Sequence, residues 1–282
     1  ARGAVTRGKV GGVFLEMIGS HQGRVMLESR GTLRAGEELE LDEHVTMTLL
    51  AAQGGGAWDV SFDAGRPLED EQAVYDLFEQ IGQTPLPPYI RKARKHRDKP
   101  QQADADHHRY NTVYASEPGS VAAPTAGLHF TQALLDRLEQ TGVRRAELTL
   151  NVGQGTFAPI RSDELADHNM HRERFHVPAD TLTMIRETRQ RGGRLFIVGT
   201  TSVRALESLP DAVVADPPGH GYSAEADLFI HPEAGFEFRF TDMLMTNFHL
   251  PRSTLLAMIA SLPNLNLDKL KSLYQTAIDH DY

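Results

Sequence analysis

Residues 193–208, GRLFIVGTTSVRALES, decide how the rest of the chain is read. Leu195–Val198 is a short apolar run of the kind found in strands buried inside α/β sheets, and it stops at Gly199. Thr200, Thr201 and Ser202 follow, hydroxyl residues suited to capping a helix that carries Val203, Leu206 and the pair Arg204 and Glu207. The pattern is strand, tight turn, helix start. Such a junction aims free backbone N–H groups and a partial positive charge at the carboxyl end of a sheet, where open α/β folds bind ligands. An ordinary βα turn with a hydroxyl cap has the same pattern, so other stretches must decide between a ligand site and a plain connection.

Around this junction the chain alternates helices and strands, which predicts a mostly parallel sheet with covering helices. Helices are expected over Thr131–Gln140, closed by Gly142, and over Ala179–Arg191, closed by Gly192 and Gly193. Two more are expected over Pro251–Leu262, with Pro in its first turn, and Leu267–Ile278. Strands are expected over Val143–Leu150, Asp227–Ile230 and Phe238–Met245, with a loop over Asp211–Ala224 that holds Pro217, Pro218, Gly219 and Gly221. Upstream, Val5–Phe62 reads as short β-type runs separated by glycine turns, a small antiparallel barrel or sandwich with Trp58 in its last strand. Val74, Leu77, Phe78 and Ile81 give Asp70–Ile81 a helical face, ended at Gly82. The expected division is a barrel domain, residues 1–68, and an α/β catalytic domain, residues 69–282, with a basic loop over 91–108 inside it.

Composition narrows the class. The 282 residues are 40% hydrophobic and hold no cysteine, which excludes disulfides, zinc–thiolate sites and thiol nucleophiles. With no apolar run long enough to span a bilayer, the expectation is a cytoplasmic protein acting as a monomer. The chain begins at Ala1 and ends at Tyr282 without recognisable terminal signals, so it is expected to be an excerpt whose native termini are missing. Its formal charge of −9 argues against a general nucleic-acid coat, but one patch runs the other way. After Pro85–Ile90 (PLPPYI), expected to be stiff and non-helical, come Arg91, Lys92, Arg94, Lys95, His96, Arg97 and Lys99 beside Tyr89. A run of this kind contacts phosphate or is a solvated loop.

Five segments share an unusual habit of crowding small residues, hydroxyls, His and Asn next to strand or helix ends: AAPTAGLHF (122–130), NVGQGTF (151–157), DHNMHRE (167–173), GTTSVRALE (199–207) and TNFHLPRST (246–254). Glycine admits a ligand close to the backbone, and His, Asn and Thr supply donors and acceptors without fixed charge, so loops like these at one sheet edge would make a polar pocket. NVGQGTF leads into Ala158, Pro159 and Ile160, which predict extended chain where a dinucleotide site needs a helix. His168, His171 and Glu173 could ligate a metal if helical, but no full signature accompanies them, and hydrogen bonding or proton transfer is preferred.

In their order along the chain, PLPPYI, RYNTVYA (109–115), GSVAAPTAGLHFT, NVGQGTF, DHNMH, VGTTSVRALES and TNFHLPRSTLL resemble the motifs of the S-adenosylmethionine:tRNA ribosyltransferase-isomerase family of queuosine biosynthesis. The resemblance runs from about residue 8 to residue 282 and is strongest from Pro85 onward. It implies transfer and isomerisation of the ribosyl group of S-adenosylmethionine onto 7-aminomethyl-7-deazaguanine in the tRNA anticodon, giving epoxyqueuosine and releasing adenine and methionine. S-adenosylmethionine is then a consumed substrate, with no metal or other cofactor, and tRNA is the partner. The family fold, an α/β domain with an inserted small β-barrel, is similar to the pattern read above.

The resemblance also implies roles. The sulfonium acidifies the ribose 5′ carbon, so a base is needed there and an acid near the departing adenine, for which His168, His171, Glu173 and His249 are the catalytic candidates. Thr125, Gly127, His129, Asn151, Gly153, Gly155, Thr156, Thr200, Thr201, Ser202, Arg204 and Asn247 are the substrate-binding candidates. Arg204 would pair with an anion or, on the helix surface, with Glu207. Tyr89, Arg91, Lys92, Arg94 and Lys95 would contact tRNA phosphate. Asn151 stands where the family usually has His, and Gln154 where it has Ala; Asn151 can still hydrogen-bond. A non-catalytic tRNA-binding module and an S-adenosylmethionine-dependent RNA methyltransferase are the alternatives.

Overall fold

In a computed structural model, the described residues are 9–68, 70–96, 103–118, 120, 122–151 and 172–282. They fall into two compact units, one of residues 1–108 with 118–121, the other of residues 109–117 with 122–282.

The first unit is built on β1 (Val10–Gly19), β2 (Gln22–Ser29), β3 (Glu38–Asp42), β4 (Val45–Gly54) and β5 (Ala57–Asp63), all antiparallel, in the order β1-β2-β5-β4-β3. Along β4, Val45, Met47 and Leu49 alternate inward, so one face is buried, as a strand period of two requires. β1 and β3 are the outer strands, with no ladder between them among the described residues. The expected barrel is therefore an open sheet, bent by bulges in β1, β3 and β4. Gly23 is required by packing: a Cβ there would lie 2.8 Å from the Phe14 ring and 2.9 Å from the Phe62 ring. Helix α1 (Glu71–Ile81), capped by Asp70 through Ala73 N–H, closes this core with Val74 and Leu77.

PLPPYI is only partly extended, because helix α2 runs Pro88–His96. Proline at the first helical position loses no bond, since that N–H has no intrahelical partner anyway. The basic run up to His96 is thus helical, followed by α3 (Ala103–Arg109).

In the second unit the predicted mostly parallel sheet is corrected. The three strands β6 (Thr149–Asn151), β7 (Glu173–Val177) and β9 (Tyr222–Ala226) form an antiparallel sheet in the order β6-β7-β9. Parallel pairing among the described residues is confined to β8 (Phe196–Val198) and β10 (Met243–Met245). The Gly-rich turns do not force parallel order; alternation of element types is compatible with either sense. β8 is also less buried than its composition suggests, with Ile197 inside and Phe196 exposed. Around these strands lie α4 (Gln132–Gln140), α5 (Ala179–Gln190), α6 (Thr200–Glu207), α7 (Asp211–Ala215), α8 (Thr254–Ala260) and α9 (Leu267–Asp279). Five smaller expectations shift. The strand expected over Val143–Leu150 is only the short β6, and that over Phe238–Met245 only β10. Asp227–Ile230 lies just beyond a strand, Asp211–Ala224 contains α7 and the start of β9, and Pro251 precedes α8, whose cap is Ser253. The core unites β7, β8, α5, α6 and α8 through Val177, Leu182, Ile197, Val203, Leu206 and Met258. No helix among the described residues is long and apolar enough to cross a membrane.

Candidate active site

Strand register places two of the five polar segments side by side. β8 and β10 pair Val198 with Met245 at their carboxyl ends, and Gly199 N–H donates to Met245 O (2.9 Å). The start of the pair is pinned too: one Asp242 carboxylate oxygen accepts from Leu195 N–H (2.6 Å) and from Arg189 (2.7 Å). GTTS and TNFH therefore leave the same edge together, the position at which parallel strands bring ligand-binding loops close.

Gly199 itself, at φ 89°, makes the turn, in the left-handed region that glycine enters without strain. It is the N-cap of α6, and no side chain caps this helix. Thr200, Thr201 and Ser202 are thus first-turn residues, a correction to their expected capping role; Thr200 is buried, and the other two are half-buried.

The described ends of two further segments, Asn151 and Glu173, stand at one end of another sheet. β6 and β7 are antiparallel with Asn151 opposite Arg174, so both ends of the intervening 152–171 segment begin at one end of that sheet. His168, His171, Gly153, Gly155, Thr156 and the extended chain expected at 158–160 lie outside the described residues.

One ion pair ties the two edges together. Arg204, in the second turn of α6, donates from Nη1 to Glu173 Oε2 at 2.7 Å, with both side chains at most 3% exposed. Arg204 also reaches the carbonyls of Ala226 and Leu228 at 3.3 Å. Burial pushes Glu173 above the usual carboxylate range against the opposing pull of Arg204, and burial lowers Arg204. A guanidinium keeps its proton in proteins, so the Arg204 side of the pair stays charged. The expected surface pairing of Arg204 with Glu207 is absent. Glu207 is buried and accepts instead from Arg239 N–H (2.8 Å), Phe240 N–H (3.0 Å) and Thr241 Oγ1 (2.8 Å). Arg204 lies one turn beyond Thr200, about 6 Å along the helix axis from the start of α6.

The TNFH segment carries unmet polar groups. Among the described residues Asn247 Oδ1 and His249 Nδ1 are buried with no hydrogen-bond partner, and burial lowers the His249 imidazole to about 4. At neutral pH His249 is an uncharged imidazole, able to accept or hand on a proton. His249 N–H donates to Tyr274 Oη (2.9 Å), and the Phe248 ring meets the Tyr274 ring edge-on at 4.9 Å. Sequence reasoning passed over Tyr274. The available signal was its i,i+4 spacing from Leu270 on α9, which puts both on the face turned to α8.

Thr125, Gly127 and His129 belong to a 3₁₀ helix, Thr125–His129. Gly127 is explained by packing rather than by a ligand: a Cβ there would sit 2.0 Å from Tyr114 Oη and 2.8 Å from Thr112 Cγ2. His129 is exposed. Among the tRNA-contact candidates, Arg91 and Lys92 are exposed on α2. Arg94 forms a bidentate pair with the buried carboxylate of Asp106, one contact at 2.6 Å, so it is engaged within its own unit. Tyr89 and Lys95 lie on α2, their side chains outside the described set. Glu173 is bound to Arg204 and is not a free metal ligand; no cluster of potential metal ligands occurs among the described residues.

A family model described as queuosine biosynthesis protein matches residues 2–282. The chain is similar to proteins named S-adenosylmethionine:tRNA ribosyltransferase-isomerase from Trichlorobacter lovleyi (39% identity, 98% of this chain and 75% of that protein) and from an Azoarcus species (43%, 98% and 74%). It is also similar, at 27% identity, to the crystal structure of an S-adenosylmethionine tRNA ribosyltransferase from Thermotoga maritima. That match covers 97% of this chain and 70% of the other, with a TM-score of 0.42. By the family match over nearly its whole length and identities near 40% to named relatives, the chain belongs to the queuosine biosynthesis protein family.

Proposed function

We propose that this chain is an S-adenosylmethionine:tRNA ribosyltransferase-isomerase, as its relatives are named. It transfers the ribosyl group of S-adenosylmethionine to 7-aminomethyl-7-deazaguanine in the tRNA anticodon and isomerises it to epoxyqueuosine, with adenine and methionine released. The observation that carries the reading beyond the family name is the Glu173–Arg204 pair, which links the edge bearing GTTS and TNFH to the edge from which 152–171 departs.

In this reading His249, uncharged at neutral pH, moves a proton, while His168 and His171 are further candidates. The sulfonium makes a ribose 5′ proton removable by a base, and the adenine leaving group takes up a proton as its bond to the sugar breaks. Asn247 and the start of α6 hold polar parts of the nucleoside. Glu173 and Arg204 act by holding elements in place. S-adenosylmethionine is consumed, and no metal or other cofactor takes part. Arg91 and Lys92, exposed on α2, contact tRNA phosphate.

Incubation with precursor-containing tRNA and S-adenosylmethionine tests this. Release of adenine and methionine is the expected result. Formation of S-adenosylhomocysteine would indicate methyl transfer, and tRNA binding without turnover would indicate a binding module; either outcome removes the proposal. Replacing Arg91 or Lys92 by Ala should weaken tRNA binding and reduce the steepness of its salt dependence by about one ion each. An unchanged slope would take both residues off the phosphate.

A further inference from the structure

The TNFH segment leaves β10 without regular secondary structure. Among the described residues, one hydrogen bond joins the backbone of 246–249 to another element, His249 N–H to Tyr274 Oη at 2.9 Å. Tyr274 also meets Phe248 edge-on, the two ring centroids 4.9 Å apart. Burial alternates along the segment. Phe248 is exposed on the Tyr274 side, whereas Asn247 and His249 are half-buried and bring Oδ1 and Nδ1 inside without partners among the described residues. Tyr274 is itself anchored. Asn266 caps α9 by accepting from Lys269 N–H (2.9 Å), and Leu270, one turn before Tyr274, is buried with Ile259 and Ala260 of α8.

Two buried polar atoms without partners are costly, and proteins keep them where a ligand completes them. A side chain in an irregular segment can meet a ligand reproducibly only if its backbone is held, because small displacements of a reacting group lose much of its effect. The geometry points to Tyr274 as a positioning residue: its phenolic oxygen fixes the backbone of His249, so that Asn247 Oδ1 and His249 Nδ1 face the reacting nucleoside as paired sites for its N–H or O–H donors. This inference rests on the proposed reaction for its consequence, but its structural half can be measured without it. Burial keeps the Tyr274 phenol protonated at neutral pH, so its oxygen acts as a neutral acceptor.

Tyr274→Phe removes the oxygen and keeps the ring against Phe248. The expected result is a kcat about tenfold lower, the factor one hydrogen bond carries, with KM for both substrates within about twofold and the thermal midpoint within a few degrees. In a His249→Ala background the same substitution should change kcat by clearly less than tenfold, because the part of the Tyr274 effect that passes through the His249 side chain is gone and only the part through Asn247 remains. A merely structural Tyr274 would instead multiply with His249→Ala. Multiplying effects, wild-type turnover in Tyr274→Phe, or wild-type turnover in His249→Ala would each overturn the assignment. Hydrogen exchange gives the arm independent of turnover: the His249 amide should be protected in the wild type and lose protection in Tyr274→Phe. Unchanged protection overturns the inference even in an active enzyme. Absence of adenine release by the wild type would overturn the ribosyl-transfer reading while leaving this exchange result to decide the contact.

Discussion

The segments that follow β8 and β10 start from one edge, paired residue for residue, yet they use polar groups in opposite ways. After β8 the chain winds into α6, where Arg204 and Glu207 are as buried as the leucines around them and each is bound on several sides. After β10 the chain stays irregular, and Asn247 and His249 bring buried atoms that have no hydrogen-bond partner among the described residues. The difference teaches where stability and chemistry are separated. Buried charge in α6 is matched by fixed partners and holds the fold, whereas buried polarity after β10 is unmatched and so remains open to a ligand.

The contrast breaks first at His249. Replacing it by Ala should lower the rate of adenine release by about 10²-fold to 10⁴-fold, the range of a lost proton carrier. Stability should hold or rise slightly, because a buried atom without a partner is removed. A rate within twofold of the wild type, measured at saturating tRNA and S-adenosylmethionine, would make this segment as structural as α6.

On the other side of the comparison, Arg204→Leu should cost about 3–5 kcal/mol in urea unfolding, since Glu173 would be left buried without its cation. The double substitution Arg204→Leu with Glu173→Leu should recover part of that loss. If the single variant unfolds like the wild type, the pair is not what joins the two edges.

The pH dependence sharpens the same contrast. The unfolded chain takes up a proton at His249 near its ordinary value of 6.5, while the folded protein does so only at about 4. Between those values protonation favours the unfolded state. Stability is therefore intact above about pH 6.5 and falls as pH drops to about 4, by roughly 3 kcal/mol at most. His249→Ala should flatten that part of the curve, as followed by urea midpoints across the interval. A curve with unaltered slope would mean that His249 titrates as an exposed residue.

The smallest effect is expected at Glu207→Gln, about 1–3 kcal/mol. An amide keeps one acceptor for Phe240 and Thr241 but turns a donor toward Arg239 N–H. Adenine release by the folded fraction should be unchanged, as measured at a temperature well below the thermal midpoint. A selective loss of turnover would place Glu207 with the chemistry rather than with the fold.

Much of this architecture was legible before any coordinates. Asp70 before a helical face, the alternation in Val45–Leu49 and the glycine stops at residues 82 and 142 are local signals, and the elements formed where those signals stand. PLPPYI misled because proline forbids helix interiors and tolerates helix starts, a distinction of position that its composition does not carry. The predicted parallel sheet failed for a related reason. A strand's direction relative to its neighbour is a property of pairing, and neither the Gly199 turn nor the run before it encodes which strand lies alongside.

The sequence by itself determined the type of many elements, the five polar segments and, through their order, the family. Those depend on propensity and on chemical identity, which are carried residue by residue. Only the tertiary structure decided that Arg204 meets Glu173, 31 positions away, and not Glu207 three positions on. It alone brought the oxygen of Tyr274 under the His249 amide. Partners of this kind are set by which faces pack together, and burial then selects among side chains that are chemically equal along the chain.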